Sequence, residues 1–218
     1  MSQHLEAARV QMINQQVRAW EVLNGAVLKA MSEVPRERFV PAGYRNLAFS
    51  DMSIPLAGGQ HMLSPQLEGR ILQSLEIAGG EAVLEIGTGS GYLTGCLARL
   101  GGQVTSLEIR PELADTARRT LRETVGSGID VRVEDAFSHQ PSTAYNCIAV
   151  TGSLPLPDDR FEQWLAPGGR LFVVTGTAPA MTAWLIRRGE DGAITRGSLF
   201  ETVLDALDSA PRPSAFVF

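Results

Sequence analysis

Val83-Leu84-Glu85-Ile86-Gly87-Thr88-Gly89-Ser90-Gly91-Tyr92 decides how this chain is read. An apolar run carries a carboxylate near its end, and three alternate glycines then lead into a helical pattern. Glycine has no Cβ and tolerates φ > 0, so the backbone can turn tightly and come close to a ligand. The turn feeds a helix whose first N–H groups lack intrahelical partners and point at that ligand. A dinucleotide fingerprint is spaced G-x-G-x-x-G, its third glycine packing helix on strand. Here the spacing is G-x-G-x-G, and Tyr92 stands where that third glycine would be. Glu85, at the C-terminal end of the strand, is expected to face the crevice where open α/β sheets bind ligands. A carboxylate there suits a cation better than a pyrophosphate.

The flanks extend the pattern. Leu93 to Leu100 has helical spacing and stops at Gly101-Gly102. Gln103 to Glu108 reads as a second strand ending in an acid, placed to accept the hydroxyls of a ribose. Pro111 opens a helix to about Val125. Ile129 to Glu134 reads as a third strand, and Asp135 after it is placed to accept from an adenine amino group. S-adenosyl-L-methionine carries an ammonium, a sulfonium, a ribose and an adenine but no phosphate. The E-x-G-x-G-x-G pattern resembles the first motif of the Rossmann-like methyltransferases that use it. The expected cofactor contacts are Glu85, Gly87, Thr88, Gly89, Ser90, Gly91, Glu108, Ile109, Leu113, Asp135, Ala136 and Thr151.

Composition narrows the class. The chain has 218 residues, enough to bury a full core, with 44% hydrophobic and 20% charged residues. A net charge of −5 argues against a nucleic-acid binder held by phosphate contacts. The apolar runs are too short for a membrane span, and the polar N-terminus does not read as a signal peptide. Cys96 and Cys147 read as buried thiols, with a disulfide between them left open, and a cytoplasmic location is expected. His4, His61 and His139 are scattered, so no metal site is expected.

Residues 1 to about 40 read as helical, with a second helix from about Leu23 to Met31. From Phe39 to Pro65 the pattern breaks into a Pro- and Gly-rich loop of a length that is often functional. A helix from Gln66 to Leu75 precedes the cofactor strand. Strands and helices then alternate to about residue 175, which argues a mostly parallel, doubly wound sheet. Asp158-Asp159 opens a helix to Leu165 that Pro167-Gly168-Gly169 ends, and Arg170 to Thr175 is the next strand. Trp184 to Arg187 and Phe200 to Leu207 read as antiparallel edge strands. One methyltransferase domain is expected over 1–218: an N-terminal helical cap with the substrate loop (1–78), a cofactor-binding core (79–176) and C-terminal edge strands (177–218).

Taken together, the chain resembles the protein-L-isoaspartate (D-aspartate) O-methyltransferases over about residues 9–205. Val34-Pro35-Arg36-Glu37-Arg38-Phe39-Val40-Pro41 resembles their V-P-R-E-x-F-V-P signature. Leu47 to Asp51 with Ile54-Pro55-Leu56, Leu84 to Tyr92, and Leu165 to Leu171 match further segments. The resemblance implies methyl transfer from S-adenosyl-L-methionine to a carboxylate of isoaspartyl or D-aspartyl residues, with a peptide or protein carrying them as partner. Other acceptors of the same fold, or cofactor binding without catalysis, stay open, as does the oligomeric state.

The departures lie on the acceptor side. Gly59-Gln60-His61-Met62-Leu63-Ser64-Pro65 stands where the family has G-Q-T-I-S-Q-P. Leu63 falls on the family's serine and His61 on its threonine. Ser64 and His61 are the candidates for the lost orienting role, His61 as a base or polar contact, although a loop histidine hydrogen-bonded to backbone is the plainer reading of that residue. Asn146 replaces the family's aspartate, and Val150-Thr151-Gly152-Ser153-Leu154 replaces its V-T-A-A-A segment. Arg36, Arg38 and Arg45 flank the loop and could attract a carboxylate.

Overall fold

The computed structural model describes residues 3–213. The Rossmann-like core is a seven-stranded sheet built from β3 (Ala82–Ile86), β4 (Gln103–Glu108), β5 (Asp130–Val133), β6 (Tyr145–Leu154), β7 (Leu165–Thr177), β8 (Ala180–Arg188) and β9 (Ile194–Glu201). Its order is β5-β4-β3-β6-β7-β8-β9. The first five strands run parallel, whereas β8 and β9 are antiparallel to their neighbours. Strand order reverses between β3 and β6, and that reversal opens the crevice in which such sheets bind ligands.

The buried strands carry apolar residues toward both faces, as parallel strands covered on both sides must. Val83, Cys147, Phe172 and Val174 pack into one cluster with α3 (Pro65–Leu75), α4 (Tyr92–Arg99) and α5 (Pro111–Thr124). Leu84, Ile86, Ile148, Val150 and Leu171 pack into the other, against Phe161 of α6 (Arg160–Gln163). Alternation with period two produces this division. Cys96 and Cys147 are both buried free thiols. No helix among the described residues is long and apolar enough to cross a membrane.

The N-terminal helical stretch is broken. α1 (Gln3–Met12) runs into a π turn (Ile13–Val17) and a 3₁₀ turn that Glu21 ends at φ 61°. α2 (Gly25–Glu33) is N-capped by Asn24, whose Oδ1 accepts from the N–H groups of Ala26 and Val27. The expected loop before Pro65 holds two 3₁₀ turns (Ala42–Leu47 and Ala57–Gly59) and a hairpin of two-residue strands, β1 (Ile54–Pro55) with β2 (His61–Met62).

Two C-terminal expectations are corrected. The helix after Asp159 ends at Gln163, and Pro167-Gly168-Gly169 lies inside β7. There the register against β6 jumps from Tyr145–Leu165 to Cys147–Arg170, a bulge that suits Gly168 at φ 73°. The last strand is Ile194–Glu201, not Phe200 to Leu207. The 189–193 turn sets the β8–β9 register, which ends at Thr182–Glu201. Beyond it the backbone crosses to Ser153, where Ser153 N–H donates to Asp205 O (2.8 Å) and Leu207 N–H donates to Ser153 O (3.0 Å).

Candidate active site

A cavity of about 290 Å³ opens at the sheet's point of reversal. One wall is the loop after β3. Gly87 has φ 95°, and a Cβ there would lie 2.4 Å from Thr151 Oγ1. The Thr151 hydroxyl lies within hydrogen-bond distance of the carbonyls of Ile86 (2.9 Å) and Gly87 (2.7 Å), so it clamps the strand end. Gly89 (φ 52°) and Ser90 line the cavity. Gly91 lies outside the lining. At φ 87° it begins α4, and a Cβ there would come within 3.0 Å of the Ala117 Cβ, so its task is close approach to α5.

Three acids stand where the spacing puts them. Glu85 lines the cavity and is fully buried. Its Oε2 accepts from Thr94 and Ser106, and Ser106 is bonded in turn to Thr88. Its Oε1 is buried without a hydrogen-bond partner among the described residues. Burial pushes its carboxyl up to about 7, against the Ser106 and Thr94 hydrogen bonds and with help from the nearby Glu108 charge. An unpartnered buried carboxylate oxygen is costly, and a ligand ammonium would satisfy it. Glu108 lines the cavity and braces the loop: Oε2 accepts from Gly89 N–H (2.8 Å) and Oε1 from Arg110 N–H (3.0 Å). Asp135 accepts from Phe137 N–H (2.9 Å) and lines the far end with Ile109, Leu113 and Ala136. The residues present fit S-adenosyl-L-methionine. Glu85 would hold the ammonium, Glu108 the ribose and Asp135 the adenine.

The opposite wall is assembled from distant segments. His61 lines the cavity, and its Nδ1 lies 2.7 Å from Asp205 Oδ2. Its partner is thus a carboxylate and not backbone. Ser64 lies outside the lining, at the N-cap of α3, whereas Leu63 is part of the lining. Arg36 is fully buried and does not face solvent as a lure for substrate. Its guanidinium bonds Ala48 O (2.8 Å), Leu63 O (2.6 Å) and the Glu68 carboxylate, and lies 4.7 Å from the Tyr92 ring centroid. Burial raises the Glu68 carboxyl, and Arg36 works against that rise. Arg38 is exposed and pairs with Glu123 at 2.6 Å.

Sequence reasoning missed Glu68, Arg110 and the roof formed by Val203 to Ser209, all in the lining. For Glu68 the signal was present. Residues 68, 71, 72 and 75 share one helical face, so this acid sits among Ile71, Leu72 and Leu75. The roof had no local signal.

A glycine loop at the reversal of a mostly parallel sheet, with acids at the C-terminal ends of β3 and β4 and just after β5, defines a Rossmann-like S-adenosyl-L-methionine-dependent methyltransferase. More narrowly, the chain belongs to the protein-L-isoaspartate(D-aspartate) O-methyltransferase family, whose model matches residues 7–205. It is 39% identical over 192 residues to the protein-L-isoaspartate O-methyltransferase of Aeropyrum pernix, covering 86% of this chain and 74% of that one. An Anaeromyxobacter relative of the same name is 38% identical over 183 residues, covering 83% and 86%. A Plasmodium falciparum chain assigned to the same enzyme class, solved with S-adenosyl-L-homocysteine, superposes with a TM-score of 0.79 at 15% identity, covering 92% and 98%. That identity carries the fold alone. The family makes this chain an O-methyltransferase with S-adenosyl-L-methionine as its cofactor.

Proposed function

We propose that the enzyme methylates the free carboxylate of isoaspartyl or D-aspartyl residues in peptides and proteins, with His61 in the orienting place that the family gives to a hydroxyl. One observation supports this above the others: a single cavity runs from the glycine loop to His61, so donor and acceptor loops share one space. Bound S-adenosyl-L-methionine supplies an electrophilic methyl on sulfur. The acceptor carboxylate is already ionised near neutral pH, so the chain need not provide a strong base. Its work is to place an oxygen in line with the methyl and sulfur. Glu85, Glu108 and Asp135 hold the donor, and Leu63, pinned through its carbonyl by Arg36, gives the acceptor side a fixed floor. The imidazolium form of His61 has an N–H at Nε2 to give a carboxylate oxygen. We read 1–78 as the acceptor side and 79–176 as the donor side of one domain. The buried free thiols suit a reducing compartment, and we place the enzyme in the cytoplasm.

The test is transfer of labelled methyl to an isoaspartyl peptide and to its ordinary aspartyl twin. Base-labile label on the first alone supports the reading. Cofactor binding without transfer to either peptide points to a different acceptor or to a binding role.

A further inference from the structure

His61, Gly152 and Ser153, the acceptor-side departures, converge on one stretch of chain. His61 meets the Asp205 carboxylate. A Cβ on Gly152 would lie 2.7 Å from Leu207 Cδ2 and 3.2 Å from Asp205 O, so that stretch packs closely on a glycine. Ser153 Oγ donates to Leu204 O (3.1 Å), and its backbone pairs with Asp205 and Leu207. Arg110 adds an ion pair to Asp208 at 2.6 Å. Val203 to Ser209 is therefore seated over the cavity by backbone bonds, the Ser153 hydroxyl and the Arg110–Asp208 ion pair, none of which involves the Asp205 side chain.

We propose that Asp205 is a positioning residue for the acceptor. By accepting the Nδ1–H of His61 it fixes the orientation of the ring and leaves Nε2 as the nitrogen that meets the acceptor carboxylate. Nε2 has no partner among the described residues, and His61 lines the cavity. The side chains of His61 and Asp205 are 43% and 47% exposed, so their pairing adds little to stability and its loss leaves the fold intact. This inference rests on the isoaspartyl reading and names the residue that makes it work with a histidine.

A double-mutant cycle of Asp205→Ala and His61→Thr tests it, read with an isoaspartyl peptide. Asp205→Ala is expected to raise the peptide KM roughly tenfold through the lost coupling. Affinity for the cofactor and thermal unfolding stay as in the parent. In the His61→Thr background the same substitution is expected to leave KM unchanged. Nitrogen NMR of the His61 ring gives a second reading: the Nδ1–H signature seen in the parent disappears in Asp205→Ala. Additive effects on KM, or a ring spectrum indifferent to Asp205, overturn the inference while the isoaspartyl reading stands. If His61→Thr abolishes turnover, the ring spectrum decides. A parent protein that leaves the isoaspartyl peptide unmethylated defeats that reading, and this inference with it.

Discussion

The two walls of the cavity are made of different materials. The donor wall is largely backbone: glycines at positive φ, a strand end clamped by Thr151, and N–H groups held by Glu108. The acceptor wall rests on side-chain pairs from segments far apart in sequence: His61 with Asp205, and Glu68 with Arg36 behind it. A backbone wall tolerates only the residues its dihedrals allow. A side-chain wall can be rebuilt by exchanging partners, and the departures from the family pattern concentrate there.

The largest effect should come from the buried pair that holds the acceptor wall. Arg36→Ala strands the Glu68 carboxylate in the core and frees Leu63 O and Ala48 O. Removing one partner of a buried pair costs about 3–5 kcal/mol. Urea unfolding measures it, and a loss below about 1 kcal/mol would show that the wall stands without Arg36.

On the donor wall, Gly89→Val should act on affinity. A Cβ at Gly89 would lie 3.5 Å from Leu56 Cδ1, an ordinary contact, so crowding by that neighbour is small. The cost is a β-branched residue at φ 52°. Strain of that kind is about 1–3 kcal/mol, or roughly five- to 150-fold in affinity if the loop relaxes when empty. Calorimetry with S-adenosyl-L-methionine reads it, and unchanged affinity would mean that the loop does not define the donor site.

The donor wall also predicts a pH effect. Burial lifts the Glu85 carboxyl from 4.5 to about 7 in the folded protein. Its contribution to the stability of the free protein is therefore full below pH 4.5 and is lost as pH rises through 7. A cationic ligand group favours the ionised form, so affinity should move the opposite way. It should rise by up to roughly tenfold per pH unit between about pH 5 and 6.5, below the carboxyl's own titration. Glu85→Gln should flatten this profile. A parent profile that is already flat would detach Glu85 from the ammonium.

What was legible in the sequence follows the same division. The donor wall lies within short stretches after consecutive strands, so spacing alone placed Glu85, Glu108 and Asp135 along one edge of the sheet. Arg36 reads as a surface charge in the sequence because arginine is rarely fully buried, and nothing local announces the three acceptors waiting for it. Phe200 to Leu207 reads as a strand, yet Leu204 and Leu207 leave the sheet and pack near the end of β6. Only the tertiary fold brings Asp205 to His61.

The smallest effect separates departures that change the site from one that does not. Asn146 stands where the family has aspartate, and its Oδ1 accepts from Ala82 N–H at 2.9 Å, tying the start of β6 to β3. An aspartate offers the same acceptor oxygen. Asn146→Asp should therefore change stability by no more than about 0.5 kcal/mol, whereas Asn146→Ala, which leaves the Ala82 N–H without that acceptor, should cost about 1 kcal/mol. Equal losses from both would mean that the amide's N–H₂ matters and that this position, too, was rebuilt. Equal tolerance of both would mean that the bond to Ala82 contributes nothing. The expected split makes Asn146 a tie between the starts of β6 and β3, outside the cavity lining, where the exchanged residue keeps the one atom the fold uses, and sets it apart from His61, where an imidazole with a carboxylate partner replaces a lone hydroxyl.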